Sequence, residues 1–362
     1  MKRFIFHFGL CVVAASAHAV DLDDLARLTP GRTTAENVAP APPGGAKSPP
    51  PVPIIFDSDM CTDCDDAGAL AVLHELANQG ECEILAVCCS NKSKYSIGAC
   101  DAINTYFGRG QLPLGAYQGN EVGKDERMTP GYNEIATNTA LYHHDVVTRD
   151  SVPSAVSVYR KVLASRPDRS VSIVCVGFLV NLSDLLKSGP DEYSRLSGVD
   201  LIAAKVKELT VMGGRYPSGQ EYNFSQRGAA PCTKHAIDNW PANVAIMFSG
   251  NELGELVITG PCLANAPATS PVKRAYELMY SGIKGRPSPD PLTVLYAVRG
   301  LRDYWLAETT GYNSIQNDGV NAWQVAPDKN HSHLKPKMSN SAIADVLSGL
   351  MSGDPRKRHG AK

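Results

Sequence analysis

The fold of this chain is decided by residues 52–70, which read VPIIFDSDMCTDCDDAGAL. Residues 52–56 are apolar and rich in β-formers, so they predict a buried strand. Five carboxylates follow within the ten residues 57–66, and apolar residues then recur at helical spacing from Ala69 to Leu76, ahead of Gly80. The stretch therefore predicts a strand, an acidic loop and a helix.

The same alternation of strand and helix continues downstream. Because strands that alternate with helices form parallel sheets, we expect a single large α/β domain with a central, mostly parallel sheet flanked by helices. Asn317-Asp318-Gly319 predicts a hairpin turn between two late strands, residues 312–315 and 320–325. The earlier predicted elements are strands at 83–89, 171–176, 209–212 and 244–248 and helices at 97–107, 156–164, 272–280 and 292–301.

Composition narrows the class of partner. The 362 residues carry 35 Lys and Arg against 37 Asp and Glu, a net charge of -2. A chain without a basic field is not typical of proteins that bind nucleic acid or an anionic membrane. We therefore expect a small-molecule partner, no nucleic acid and no membrane attachment.

The N-terminus has the pattern of a secretory signal peptide. Lys2 and Arg3 precede an apolar run, and Ala17-His18-Ala19 has the small-x-small form that a signal peptidase accepts. We expect a signal peptide at 1–19, a proline-rich disordered lead at 20–52, one domain at 53–350 and a basic tail at 351–362. The mature protein is then expected to be secreted or periplasmic.

Signal cleavage would leave nine of the ten cysteines, so at least one is expected to be unpaired. Cys88, Cys89 and Cys175 lie in apolar runs and are expected to be buried thiols. Cys61 and Cys64 form a C-x-x-C for which a disulfide and two loop thiols both stay open. No second pair completes a four-ligand zinc site.

The crowded acidic loop indicates a metal site. Mutual repulsion raises the pKa of neighbouring carboxyl groups unless a cation neutralises them, and oxygen ligands favour Ca²⁺ or Mg²⁺. Calcium suits an irregular oxygen cage best. Counted from Asp57, the loop has Thr62 where an EF-hand needs glycine and Gly68 where it needs glutamate, which excludes an EF-hand. The loop follows a strand of the expected parallel sheet, where α/β proteins bind ligands.

At this point the sequence resembles the inosine/uridine-preferring nucleoside hydrolases, the nucleoside N-ribohydrolase family. The resemblance covers roughly residues 52–350 in several ordered blocks, which makes it more specific than one motif. The blocks are the acidic loop with Ala67-Gly68-Ala69-Leu70, Leu85-Ala86-Val87 with Ser90-Asn91, 176–182 (VGFLVNL), Val211-Met212-Gly213-Gly214, Glu221-Tyr222-Asn223 and Pro289-Asp290-Pro291.

The resemblance implies one bound Ca²⁺ and hydrolysis of the N-glycosidic bond of ribonucleosides to free base and ribose. It implies that Asp59, Asp66 and Asp290 ligate the calcium together with the backbone carbonyl of Val176. Asp59 would also be the catalytic base that takes a proton from a calcium-bound water. Asp63 belongs to a longer form of the loop and would support the site from outside the ligand set.

Substrate recognition is also implied by the resemblance. Many members have a histidine before the last metal-binding aspartate, where this chain has Pro289, so His143 and His144 are candidates for the leaving-group acid. Departure of the base without an acid stays open, as does the preferred base. Members of the family are often dimers or tetramers, and the oligomeric state of this chain also stays open. The substrate-binding residues implied are Asp65, Asn91, Met212, Glu221 and Asn223.

Three other functions compete with this one. Pro289 favours a related hydrolase of another ribosyl or glycosyl substrate. A non-catalytic calcium-dependent nucleoside or sugar binding protein is a second alternative, although a binder would not need Asp59 as a base. A C-x-x-C oxidoreductase is least favoured, because the carboxylates around Cys61 would raise its pKa and suppress the thiolate.

Overall fold

The structure is a computed structural model and describes residues 49–124, 130–325 and 329–353. These described residues belong to one compact unit. The predicted signal peptide, residues 20–48 of the predicted lead and residues 354–362 of the predicted tail lie outside the described residues.

Strands and helices alternate along most of the described chain. The strands are β1 (Val52–Ser58), β2 (Cys82–Cys89), β3 (Leu114–Ala116), β4 (Val171–Cys175), β5 (Val206–Met212), β6 (Ser218–Gly219), β7 (Ala245–Ser249), β8 (Ile258–Thr259), β9 (Arg286–Pro287), β10 (Trp305–Glu308), β11 (Tyr312–Ile315), β12 (Asn321–Gln324) and β13 (His331–Pro336). The α-helices are α1 (Asp65–Asn78), α2 (Ser96–Tyr106), α3 (Pro130–Thr137), α4 (Thr139–Tyr142), α5 (Ala155–Ala164), α6 (Val180–Lys187), α7 (Gly198–Lys205), α8 (Tyr222–Ser225), α9 (Ala230–Asp238), α10 (Asn251–Gly254), α11 (Pro271–Tyr280), α12 (Pro289–Arg299) and α13 (Asn340–Met351).

Eight strands form the central sheet in the order β10-β13-β7-β5-β4-β1-β2-β3. Every neighbouring pair is parallel except β10 with β13. Two small antiparallel sheets, β11-β12-β6 and β8-β9, lie outside it. The predicted fold class, a mostly parallel sheet flanked by helices in one α/β domain, is confirmed.

Both faces of the sheet are covered by helices. Successive side chains of β1 point to opposite faces, so Ile54 and Phe56 pack in the core that contains Leu70 of α1, while Ile55 packs in the other core. The second core is completed by α5, α6, α7 and α9 through residues such as Leu163. A sheet buried on both faces explains why its strands are continuous apolar runs rather than alternating ones.

Several predicted boundaries agree with the structure within two or three residues, including those of β2, β4, α2, α5 and α11. The predicted hairpin is confirmed, because β11 and β12 pair antiparallel across the Asn317-Asp318-Gly319 turn. Within the described segments, no helix has the length and apolar character that a membrane span requires.

The topology creates one special position at the carboxyl edge of the sheet. From β1 the chain moves to β2 and β3 on one side and then crosses back to β4 on the other side of β1. Such a switch point opens a crevice at the strand ends, where α/β proteins bind ligands. Asp59 directly follows β1 and Val176 directly follows β4, so both lie at this crevice.

Candidate active site

A cavity of about 260 Å³ opens at the carboxyl edge of the sheet. A larger cavity of about 620 Å³, bounded by Tyr216, Trp323 and His333, contains none of the predicted site residues. The acidic cavity is therefore the candidate site, because chemistry depends on the groups present rather than on volume. The described residues that line it are Asp59, Thr62, Asp63, Asp65, Asp66, Lys124, Met212, Glu221, Tyr222, Asn223, Asn251, Met279, Arg286, Pro289 and Asp290.

Asp59 lies at the base of the cavity with only 2% of its surface exposed. Its Oδ2 atom is buried and has no hydrogen-bond partner among the described residues. Burial raises the pKa of Asp59 to about 7; the nearby Thr62 hydroxyl opposes the shift, and the carboxylates of Asp63 and Glu221 add to it. A buried carboxylate oxygen without a partner is costly unless a ligand, a metal or a water satisfies it.

Asn91 fixes the loop that carries Asp59. Its side-chain amide donates hydrogen bonds to the backbone oxygens of Asp59 and Met60, both at 2.8 Å. Its Oδ1 accepts from Ser93 N at 3.0 Å and from Ser96 Oγ at 2.7 Å. Asn91, predicted to bind substrate, therefore lies beneath the loop with its amide fully used and is not among the described residues that line the cavity.

A glycine allows the strand ends to approach each other. A Cβ on Gly177 would lie 2.2 Å from the backbone nitrogen of Asp59 and 2.6 Å from Ser90 Oγ. No side chain fits in that space. Gly177 therefore brings the end of β4 against the acidic loop, and Val176 N completes the approach by donating to Asp57 O at 2.8 Å.

Asp65 and Asp66 begin α1, where the helix dipole favours negative charge. Ser58 Oγ donates to Asp66 Oδ1 at 2.5 Å. Burial raises the pKa of both carboxyl groups; the charge of Asp63 adds to the shift at Asp65, and that of Asp59 adds to it at Asp66. Two buried acids next to each other are thus poorly compensated by the protein itself.

Arg286 provides part of the missing compensation. Its guanidinium donates a hydrogen bond to Asp63 Oδ2, and its Nε lies 3.6 Å from Asp65 Oδ1. Although burial of Asp63 acts to raise its pKa, hydrogen bonding with Asp65 and the charge of Arg286 outweigh it and lower the pKa. Asp63 thus supports the loop through Arg286, although it also contributes to the cavity wall.

The third predicted carboxylate ligand comes from a distant element. Asp290 lies in the first turn of α12 and is 95% buried. Its backbone N–H donates to Asp65 Oδ2 at 3.5 Å, which ties α12 to the acidic loop. Burial raises the pKa of Asp290 well above its usual value, with further contributions from Asp65 and Asp66.

The donor set fits a hard cation. The groups implied for calcium, namely three carboxylates and the Val176 carbonyl, are all oxygen donors, and Asp59 Oδ2 lacks a partner. As they stand in the described residues, the His, Cys, Asp and Glu side chains do not form a group of three or more able to hold a metal ion. The fit therefore rests on the oxygen chemistry, the uncompensated charge and the partnerless oxygen.

Glu221 and Asn223 form the wall opposite the acidic loop. The Glu221 carboxylate caps α8 by accepting from the backbone nitrogens of Asn223 and Phe224, at 2.9 and 3.1 Å, and it accepts from Gly214 N at 3.2 Å. Burial raises the pKa of Glu221 to about 7, and these backbone hydrogen bonds oppose the shift. Asn223 Nδ2 donates to Val176 O at 2.9 Å, which places it beside a predicted calcium ligand.

The structure brings together most of the predicted site residues but not the histidines. Neither His143 nor His144 is among the described residues that line the cavity. His143 is exposed at the end of α4. His144 is buried, and its Nε2 lies 2.9 Å from Ala136 O, so that nitrogen carries the proton in this contact. His144 is thus held by a hydrogen bond within its own segment, and His143 is exposed outside the cavity.

Cys61 and Cys64 carry free thiols, as do the other cysteines of the described residues. The sequence left a disulfide and two loop thiols open as alternatives, and the structure has two thiols. Burial is the main cause that raises the pKa of each, with nearby carboxylates adding to it. Protonated, buried thiols do not support redox chemistry. Cys88, Cys89 and Cys175 are buried, as predicted.

Sequence reasoning missed two cations and a tyrosine in the cavity wall: Lys124, Arg286 and Tyr222. Lys124 is in a charged run and Arg286 is isolated between prolines and glycine, patterns more typical of exposed loops. Only the folded chain shows that both face the acidic loop.

Comparison with known proteins now adds to the geometry. No protein-family model and no curated protein matches the chain. Among solved structures it is similar to a plant nucleoside hydrolase, PpNRh1, with a TM-score of 0.60 and 15% identity, covering 84% of this chain and 100% of that one. The chain has the nucleoside hydrolase fold.

Two further structures support that assignment of the fold. The inosine-uridine preferring nucleoside hydrolase from Bacillus anthracis has a TM-score of 0.59 at 14% identity, covering 83% of this chain and 99% of that one. The type III effector protein XopQ, in a complex with adenosine diphosphate ribose, has a TM-score of 0.61 at 14% identity, covering 83% and 92%. The structural similarity establishes the shared nucleoside hydrolase fold. At identities this low the activity has to be argued from the site.

Proposed function

We propose that this chain is a calcium-dependent hydrolase of ribonucleosides that releases free base and ribose. One observation carries the proposal: a buried aspartate, Asp59, has a partnerless carboxylate oxygen in an acidic cavity at the switch point of a nucleoside hydrolase fold. A carboxylate so placed can accept a proton from a water that attacks the anomeric carbon.

Calcium would be held by Asp59, Asp66, Asp290 and the backbone carbonyl of Val176. When bound, the ion would neutralise part of the carboxylate charge, lower the pKa of water and orient it together with ribose hydroxyls. The three carboxylates line the same cavity, and Gly177 brings Val176 to the loop, which supports this ligand set.

The chain's own residues perform the remaining steps. Asp59 takes the proton at Oδ2, and Asn91 holds its backbone in place through two hydrogen bonds. Asp65, Glu221 and Asn223 face the same cavity and can bond the ribose hydroxyls. Met212 contributes the apolar surface beside Asn223, whose amide also contacts its sulfur at 3.4 Å. Such contacts can strengthen as the sugar ring flattens in the transition state.

The charge of the cavity bears on the substrate. Six carboxylates but only two cations, Lys124 and Arg286, line it among the described residues, so the carboxylates exceed the positive charge even with one calcium bound. An anionic substrate would be repelled. We therefore expect neutral ribonucleosides to be preferred over anionic ribosyl compounds such as adenosine diphosphate ribose.

Export is also proposed, on the basis of residues 1–19, with the mature protein acting in nucleoside salvage outside the cytoplasm as a monomer or a homo-oligomer. The preferred base is left to experiment.

The substrate class is tested by incubating the mature protein and calcium with inosine, adenosine, uridine, cytidine and adenosine diphosphate ribose. We expect free base and ribose from at least one nucleoside, with kcat/KM at least about tenfold above that for adenosine diphosphate ribose, because of the charge repulsion. Cleavage of adenosine diphosphate ribose alone would show that the enzyme hydrolyses a ribosyl substrate other than a nucleoside. Binding of nucleosides without turnover would indicate a binding protein.

A further inference from the structure

Hydrolysis of a nucleoside requires a group that stabilises the departing base. When the C–N bond breaks, its electron pair goes to the base nitrogen, the water oxygen bonds to the anomeric carbon, and the water's proton goes to Asp59. Negative charge therefore develops on the base. A hydrogen-bond donor aimed at that charge accelerates the step. The following inference rests on the proposed function.

Most donors in the cavity wall are already committed. Arg286 is paired with Asp63 and Asp65. The side-chain amide of Asn251 donates to Glu255 Oε1 at 2.9 Å. The amide of Asn223 donates to Val176 O. The charge of Arg286 is thus paired with carboxylates, and the two amides hold a carboxylate and a carbonyl of the protein itself.

Lys124 is the cavity cation whose hydrogen bond, among the described residues, goes to a neutral backbone oxygen and not to a carboxylate. Among the described residues its Nζ donates one hydrogen bond, to Thr62 O at 2.9 Å, and it lies 5.7 Å from the centre of the Tyr222 ring. An ammonium group has three N–H donors, so two are left to face the cavity. The side chain is half-buried, which favours interactions with a ligand over interactions with bulk water.

The backbone fixes Lys124 in this position. Lys92 N donates to Val122 O at 2.9 Å, and Gly123 N donates to Arg227 O at 3.0 Å. Gly123 has a φ of +93°, and a Cβ there would lie 2.5 Å from Asn91 Cβ. The residue before Lys124 is therefore packed against Asn91, the residue that holds Asp59.

We propose that Lys124 is the leaving-group donor: its ammonium hydrogen-bonds to the departing base and offsets the negative charge that develops there. The base then takes its proton from solvent, and Lys124 stays charged throughout. Asp59 accepts the proton of the attacking water. Lys124, which is hydrogen-bonded to Thr62 on the same loop, donates a hydrogen bond to the departing base.

The experiment compares two leaving groups in the wild type and in Lys124→Met. Inosine and uridine have poor leaving groups, whereas p-nitrophenyl riboside releases p-nitrophenolate, a stable anion that needs little assistance. We expect Lys124→Met to lower kcat/KM for the nucleosides about 100-fold and to leave that for p-nitrophenyl riboside within about threefold. Lys124→Arg keeps the charge and the donors, so it is expected to be more active on nucleosides than Lys124→Met.

Lys94→Met is the matched control. Lys94 is an exposed lysine that also lies over a tyrosine ring, 5.6 Å from the centre of Tyr95, and it does not line the cavity. The substitution Lys94→Met is expected to leave kcat/KM unchanged for both the nucleosides and p-nitrophenyl riboside. Equal losses on both substrates in Lys124→Met, or no loss on nucleosides, would overturn the role of Lys124. A wild type that hydrolyses neither substrate would instead contradict the proposed function.

Discussion

Asp59→Asn is expected to lower ribose release from a nucleoside substrate by about 10³–10⁴-fold, because an amide cannot accept the proton of the attacking water. The fold should survive the change. Asp59 Oδ2 has no hydrogen-bond partner among the described residues, and the substitution removes a buried charge. We expect the free energy of unfolding, measured without calcium, to stay within about 1 kcal/mol of wild type.

Asp57→Asn is the control for this prediction. Asp57 is equally buried, and burial likewise raises its pKa to about 7, but Tyr159 OH donates to it at 2.9 Å and Asn181 Nδ2 at 3.1 Å. An amide would face the Asn181 amide donor, so stability should fall by about 1–3 kcal/mol, with a smaller loss of activity than in Asp59→Asn. An Asp59→Asn protein that keeps wild-type turnover would remove Asp59 from the mechanism.

Gly177→Ala is the second large prediction. The added methyl group would lie 2.2 Å from the backbone nitrogen of Asp59, and backbone cannot move aside as a flexible side chain can. We expect the free energy of unfolding to fall by about 1–3 kcal/mol. Ribose release should fall about 100-fold, because the displaced loop misplaces the reacting carboxylate. Denaturant unfolding and initial rates measure the two effects.

Gly189→Ala tests whether the effect depends on position. A Cβ at Gly189 meets no atom within 4 Å, and its φ is not in the left-handed region. Stability and activity are expected to stay at wild-type values. Wild-type rates in Gly177→Ala would show that the close approach of the two strand ends is not needed for the site.

Much of the fold was predictable because its signals are local. The apolar run of β1, the helical spacing of α1 and the hairpin turn each depend on neighbouring residues. The acidic loop was predictable for the same reason, since its carboxylates are adjacent in sequence. The nucleoside hydrolase fold then followed from ordered blocks, even at the 14–15% identity of the solved structures.

The rest of the site depends on contacts between distant segments. Arg286 reaches Asp63 across more than two hundred residues, and Lys124 reaches Thr62 across about sixty. Neither pairing leaves a pattern in the sequence. The sequence motif predicts that Asn91 binds substrate, and that role stays a prediction; the structure shows that its amide supports the loop backbone.

For the two histidines, the residue type suggested the role of leaving-group acid, but the fold does not place either of them in the cavity wall. His144 satisfies Ala136 O within its own segment, and His143 ends a short helix. A histidine in a polar loop is informative only when the loop's path is known, and that path depends on packing against α2 and α11.

The most direct test of the central claim is calcium dependence, measured by ribose release and by thermal unfolding in the same samples. We expect exhaustive chelation to abolish turnover of the nucleoside substrate and added calcium to restore it. Calcium should also raise the Tm of the wild type, because a ligand that binds only the folded state stabilises that state. It should not raise the Tm of Asp66→Asn. Full turnover after chelation, with no effect of calcium on Tm, would contradict the account.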